Sequence, residues 1–199
     1  MVVELARRPD VIALTLPVDY WDYLGWRDTL AQPAFSARQR GYAHARRDRQ
    51  VYTPQVVVNG VIACVGSDRA KVERALEQAA HSPRAVTMRL AETGSAITVD
   101  VSGSAGEGEE TRAELWLLPV STSKTVPIGR GENQGRTATY ANVVRGMTRI
   151  GEWSGKPAQF VVPMAVAHAP DADGYVVILQ KMASEGPGMI IAAARSGNR

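Results

Sequence analysis

Val51-Tyr52-Thr53-Pro54-Gln55-Val56-Val57-Val58-Asn59-Gly60, running straight on into Val61-Ile62-Ala63-Cys64-Val65, is the stretch from which the rest of this chain can be read. Two short β-branched runs meet at Asn-Gly. Both residues tolerate the positive φ of a type I′ turn, so the spacing predicts a β-hairpin. Pro54 has no N–H to give a ladder and therefore suits the first residue of a strand. X-Pro is also the one bond at which a cis peptide is cheap. A cis bond here would turn Tyr52-Thr53 sharply toward whatever lies at the strand's end. The alternative is an ordinary strand opened by a trans proline.

Toward the amino terminus, residues 2–8 read as the last turns of a helix. Arg7 and Arg8 suit its C-terminal dipole, and Pro9 stops it. Val11-Ile12-Ala13-Leu14-Thr15-Leu16 is almost continuously apolar, the pattern of a strand buried on both faces. Asp19-Tyr20-Trp21-Asp22-Tyr23-Leu24-Gly25-Trp26-Arg27-Asp28 is too irregular for a helical stripe and too polar for a buried strand. Rings in a loop need something to pack on, the domain itself or a ligand. Either this loop folds down as a lid over the core edge, or Asp19, Trp21 and Trp26 wall a site at the end of the preceding strand. Residues 36–49 read as a helix capped by Ser36, with Phe35, Tyr42 and Ala43 inward and Arg38, Arg40, Arg46, Arg47 and Arg49 elsewhere. That basic face is either solvated or a contact for an acidic partner. No stacking module or groove-reading motif accompanies it, so nucleic acid is not expected. Beyond the hairpin, residues 67–81 read as an amphipathic helix that Ser82-Pro83 breaks.

After Pro83 the texture changes to alternation. Residues 86–90, 97–101, 113–120, 158–164, 175–180 and 188–194 are short strand-like runs separated by Gly-rich connections. The pattern predicts an antiparallel sandwich or barrel over residues 83–199, following an α/β unit over residues 1–82. Gly129-Arg130-Gly131-Glu132-Asn133-Gln134-Gly135-Arg136 interrupts it. A phosphate cradle needs Gly-Lys-Ser/Thr opening a helix or a βαβ unit, and neither is present. The segment is therefore a polar hairpin tip, or else Arg130, Glu132, Asn133 and Arg136 reach across to the first unit's site.

Composition narrows the functions available. The 199 residues carry a net charge of +3, spread evenly along the chain, a weak case for a polyanion partner. No run approaches the length of a membrane span. A single cysteine excludes an intrachain disulfide, a CxxC pair and a multi-cysteine zinc site. His44, His81 and His168 are far apart, so neither a metal nor any other cofactor is expected. Cys64 sits in an apolar run, where a free cysteine behaves as a small hydrophobe.

Taken together, Val18-Asp19-Tyr20-Trp21-Asp22-Tyr23-Leu24-Gly25-Trp26, Tyr52-Thr53-Pro54-Gln55, Val65-Gly66-Ser67-Asp68-Arg69 and Arg130-Gly131-Glu132-Asn133 through Tyr140-Ala141-Asn142-Val143-Val144 resemble an exported bacterial family, the domain of unknown function 1223. The resemblance implies an α+β protein: a thioredoxin-like α/β domain, then an antiparallel β-sandwich domain. Its members start with a signal peptide, a strand and a Cys-x-x-Cys opening the first helix, and this sequence has none of the three. The thioredoxin-like domain is accordingly expected to be incomplete, as a fragment or a chain with a misplaced start, and to lack redox activity. A longer parent is expected to act as a thiol-disulfide oxidoreductase on a peptide or protein thiol substrate. The resemblance places such a chain in the periplasm or outside the cell; with Met1 as true start it is cytoplasmic. The alternative function is a non-enzymatic peptide- or ligand-binding module using Tyr52, Thr53 and Pro54 with Asp19, Trp21 and Trp26.

Overall fold

The computed structural model describes residues 1–24, 27–48, 50–82, 85–104, 112–130, 134–184 and 186–197. The hairpin forms where the Asn-Gly step predicts it. β1 (Gln55–Val58) and β2 (Ile62–Val65) pair antiparallel, with Val58 opposite Ile62. Asn59 and Gly60 have φ of 46° and 78°, and the Val61 N–H closes the turn on the Val58 carbonyl at 3.0 Å. Because Val58 faces Ile62 rather than Val61, the loop holds one residue more than a two-residue hairpin. The Thr53–Pro54 peptide is cis, and the Pro54 carbonyl accepts from the Gly66 N–H at 2.8 Å. Asp68 then caps α3 (Arg69–Ala80) by accepting from the Lys71 N–H, which holds the Asp68 carboxyl below its ordinary range. Val72 and Ala75 of α3 bury against Val58 and Cys64, with Leu5 of α1 (Val2–Leu5) completing the cluster.

Residues 11–16 are extended, as expected, but form no ladder strand. Their single pairing is a parallel bridge from Thr15 to Val143. The helix expected over residues 36–49 is α2 (Pro33–Ala45). It starts earlier because proline is well placed in a first turn, whose N–H groups have no intrahelical acceptor. Ser36 is therefore not the cap. It lies inside the helix, wholly buried, and its hydroxyl donates to Asp19. Arg46 caps the helix just after Ala45 and pairs with Asp48, Arg47 has φ of 60°, and Arg49 lies outside the described residues.

From residue 86 on the structure is strand-rich. β5 (Ala113–Pro127) pairs with β9 (Gly174–Ala183) along one edge, and β10 (Gly186–Arg195) extends beyond β9. Along its other edge β5 pairs first with β7 (Thr148–Trp153), then with β6 (Thr137–Val144). β3 (Val86–Glu92), β4 (Ala96–Gly103) and β8 (Ala158–Pro163) make a second antiparallel sheet. The two curl round one core as a half-barrel, Ile97, Val99 and Val101 of β4 meeting Leu115, Leu117, Val177 and Leu179. The alternation misses β6 (Thr137–Val144), and it also misses β7. Its Gly151 leaves the space that the Phe160 ring fills, 2.7 Å from where a Cβ would stand.

α2 joins the first part of the chain to this half-barrel. Phe35 packs with Leu118, Val144 and Ile178. Arg38 donates to Gln180 and to the Tyr42 hydroxyl, and fully buried Gln180 in turn donates to Tyr42 and the Gly188 carbonyl. The expected boundary residue, Pro83, lies outside the described residues. Among the described residues no helix is long and apolar enough to cross a membrane.

Candidate functional site

A cavity of about 2110 Å³ has residues 11–18 and 53–59 in its lining, together with stretches of α1, α3, β3 and β10. At its mouth the predicted residues meet. The Trp21 indole N–H donates to the Thr53 hydroxyl at 2.8 Å, joining the aromatic loop to the residue before the cis-proline. Trp21 is 44% exposed and Tyr23 76%, and their rings stack with centroids 6.5 Å apart. Such a surface loses little by taking a ligand and exposes apolar area without one. The Thr53 N–H and C=O make no hydrogen bond among the described residues. Pro54 is held from behind by Gly66, so the turn presents Thr53 outward.

Asp19 has a different task from the one its sequence position suggested. Its carboxylate accepts from Ser36 and its N–H donates to the same hydroxyl at 3.1 Å, so it anchors the loop to α2 instead of facing the groove. Tyr52 contributes its carbonyl, which accepts from the Gln39 side chain at 2.8 Å. Trp26 lies outside the described residues, as do Glu132 and Asn133. Of the second candidate loop, Arg130 lines the same groove as Thr53. Arg136 does not line it; its carbonyl accepts from the Ile128 N–H at 2.8 Å in the β5–β6 hairpin.

Two further residues matter here. Gln39 accepts from the Tyr20 hydroxyl at 2.9 Å and donates to the Tyr52 carbonyl and to Gln55 Oε1. One side chain of α2 thereby ties the aromatic loop to the strand entry. Tyr140 of β6 donates to Asp28 Oδ2 at 3.0 Å. Burial first, then the Asp28 charge and hydrogen bond, push the Tyr140 hydroxyl up to about 12, so it stays neutral as a donor. Nothing in the spacing of a lone glutamine or tyrosine could have marked either.

Cys64 is buried, and burial followed by the Asp68 charge pushes its thiol up, away from the thiolate an attacking sulfur needs. Among the described residues no group of three or more His, Cys, Asp or Glu side chains is placed to hold a metal ion.

A family model described as protein of unknown function (DUF1223) matches residues 1–180. The X-ray crystal structure of a protein from Agrobacterium tumefaciens, a Northeast Structural Genomics Consortium target, is similar over 100% of this chain and 86% of its own, with 26% identity and a TM-score of 0.83. Two crystal structures of a β-glucosidase from Kluyveromyces marxianus, one with glucose, align with 58% of this chain and 14% of theirs at 11% identity. Their TM-score of 0.24 carries no argument. No curated protein matches the chain.

Proposed function

We propose, for a chain that belongs to the family of proteins of unknown function DUF1223, that residues 1–82 are a thioredoxin-like unit whose Thr53–Pro54 face holds an extended peptide and carries out no thiol–disulfide exchange. The observation that carries this reading is the Trp21–Thr53 hydrogen bond, which sets an exposed aromatic pair beside main-chain groups left unpaired at a cis-proline. The order hairpin then capped helix, entered through that proline, supports the thioredoxin-like part. A boundary at Pro83, a sandwich-type second domain and a periplasmic or secreted setting belong to the same proposal, as does redox activity in any longer parent.

Carboxymethylated insulin B chain, an extended polypeptide without free thiols, is a suitable probe. Titrated into the labelled protein, it is expected to shift the Trp21 indole N–H resonance. Trp21→Ala and Thr53→Ala should each weaken binding about tenfold, the loss of roughly one hydrogen bond and its packing. An unmoved indole resonance at saturating peptide sinks the reading.

A further inference from the structure

Asn59-Gly60, the single Asn-Gly step of the chain, has a covalent chemistry as well as a turn preference. In such a step the glycine backbone nitrogen can attack the asparagine Cγ. The new N–Cγ bond closes a five-membered succinimide, the glycine N–H proton is given up, and the side-chain nitrogen leaves as ammonia. Water then opens the ring at either carbonyl. One product is aspartate; the other is isoaspartate, whose main chain runs through Cβ and Cγ. Glycine favours the attack because it has no Cβ to crowd the nitrogen.

Both reacting groups are uncommitted. Asn59 is exposed, and its side-chain amide makes no hydrogen bond among the described residues. The Gly60 N–H donates to no main-chain acceptor among them. Asn142, also left-handed with φ of 47°, differs on both counts. Its amide donates to the Ala13 carbonyl, and β-branched Val143 follows it.

The turn keeps the two groups of Asn59-Gly60 apart. An L-residue with φ of 46° is confined to the left-handed region, where ψ is about +30 to +60°. At that ψ the Gly60 nitrogen lies nearly anti to Cβ across the Cα–C bond, whereas the succinimide ring requires the two nearly eclipsed. Asn59 must therefore rotate ψ by well over a right angle before the bond can form. Three contacts oppose the rotation. The Val61 N–H holds the Val58 carbonyl across the turn at 3.0 Å, and the Ile190 N–H of β10 holds the Asn59 carbonyl at 2.9 Å. Gly60 itself is buried against the Gly188 carbonyl, with no room even for a Cβ. Two of the three contacts come from the β9–β10 hairpin.

We propose that Asn59 is a modification site, converted to isoaspartate when the β9–β10 hairpin lifts from the β1–β2 turn, and that the conversion prevents the two from docking again. In the product the carbonyl that accepted from Ile190 is part of a free carboxylate on a side branch. The main chain gains a carbon between Asn59 Cα and Gly60, so Gly60 cannot keep its place under Gly188. An event that begins as reversible local opening thereby becomes permanent.

The full chain is incubated in mildly alkaline buffer, native or unfolded in urea, and isoaspartate at residue 59 is quantified by peptide mass spectrometry. The native rate is expected to be at least about tenfold below the unfolded rate. Ile190→Pro removes an N–H that serves Asn59 and not β9, and should raise the native rate at least about tenfold. Val99→Ala lowers global stability from the half-barrel core, away from the turn, and should leave the native rate unchanged. Should Ile190→Pro not fold, the unsubstituted chain in urea below its unfolding transition replaces it, and conversion is expected to accelerate before the fold is lost. Equal native and unfolded rates overturn the proposal. So does a rate that follows global unfolding alone, rising in Val99→Ala or only across the urea transition. The purified isoaspartate chain should exchange its Ile190 amide at least about tenfold faster than its parent, with Val99 and Val177 protected as before. Unchanged Ile190 exchange overturns the lasting release.

Discussion

Gln39 has both side-chain N–H groups committed, to the Tyr52 carbonyl and Gln55 Oε1, while its oxygen accepts from Tyr20. Removing it frees the aromatic loop from the strand entry and leaves the half-buried Tyr52 carbonyl to find water. Gln39→Ala is expected to cost about 1–3 kcal/mol in urea unfolding, and to broaden the Trp21 indole resonance as its neighbour loses a fixed position. Cys64 behaves in the opposite way, as a side chain that matters only for packing. Buried and with its thiol pushed up, it should react with Ellman's reagent only as fast as the protein unfolds. Rapid modification of the native chain, or insulin reduction that disappears in Cys64→Ser, would contradict both its burial and its lack of redox work.

At the scale of elements, the β1–β2 turn is held against the β9–β10 hairpin. A Cβ on Gly60 would stand 2.2 Å from the Gly188 carbonyl oxygen, at a φ of 78° that side chains rarely adopt. Gly60→Ala should therefore cost more than about 2 kcal/mol, whereas Gly94→Ala, with nothing within 4 Å of its Cβ, should stay within about 0.5 kcal/mol. Thermal or urea midpoints of the two variants decide this. The same elements show how far the residues alone could be read. Asn-Gly set the turn through its own backbone preference, and β4, β5 and β9 announced themselves by runs that pack on one core. Residues 11–16 announced a strand equally well, yet ladder membership depends on a neighbour, and no local pattern reports one. Ser36 misled for the same kind of reason. A serine near a helix start is a cap only if no better start precedes it, and Pro33 does. At the site, Trp21 and Thr53 were legible as exceptions to local economy. Gln39 and Tyr140 act through partners distant in sequence, so neither role could be read from its own neighbourhood.

For the molecule as a whole, two tyrosines link stability to alkaline pH. Tyr140 on Asp28 and Tyr175 on Glu92 both have hydroxyls pushed up, first by burial, Tyr140 to about 12. The unfolded chain loses these protons from about pH 10, while the folded chain keeps them. Their contribution is therefore whole below pH 10 and is lost as pH rises toward 12. Tyr140→Phe and Tyr175→Phe should each flatten the fall in unfolding free energy across that window, and an unchanged slope would remove the linkage. The half-barrel core draws every buried member from residues 86–179, which favours independent folding of residues 84–199. That fragment is expected to unfold cooperatively by circular dichroism; a transition without cooperativity would tie its core to α2 after all.

β5 carries a further consequence, one of timing. It is the strand on which both edges of the large sheet are built, and its long partner β9 begins at Gly174, roughly fifty residues after β5 ends at Pro127. A ribosome adding roughly 5–20 residues per second leaves several seconds between the two. During that interval Leu115, Leu117 and Leu118 exist in a nascent chain that has no β9 to cover them. β6 and β7, which emerge first and dock along the other edge, leave the β9 edge unpaired until last. Synthesis rate, more than native stability, then sets how long this protein is vulnerable to its neighbours on the polysome.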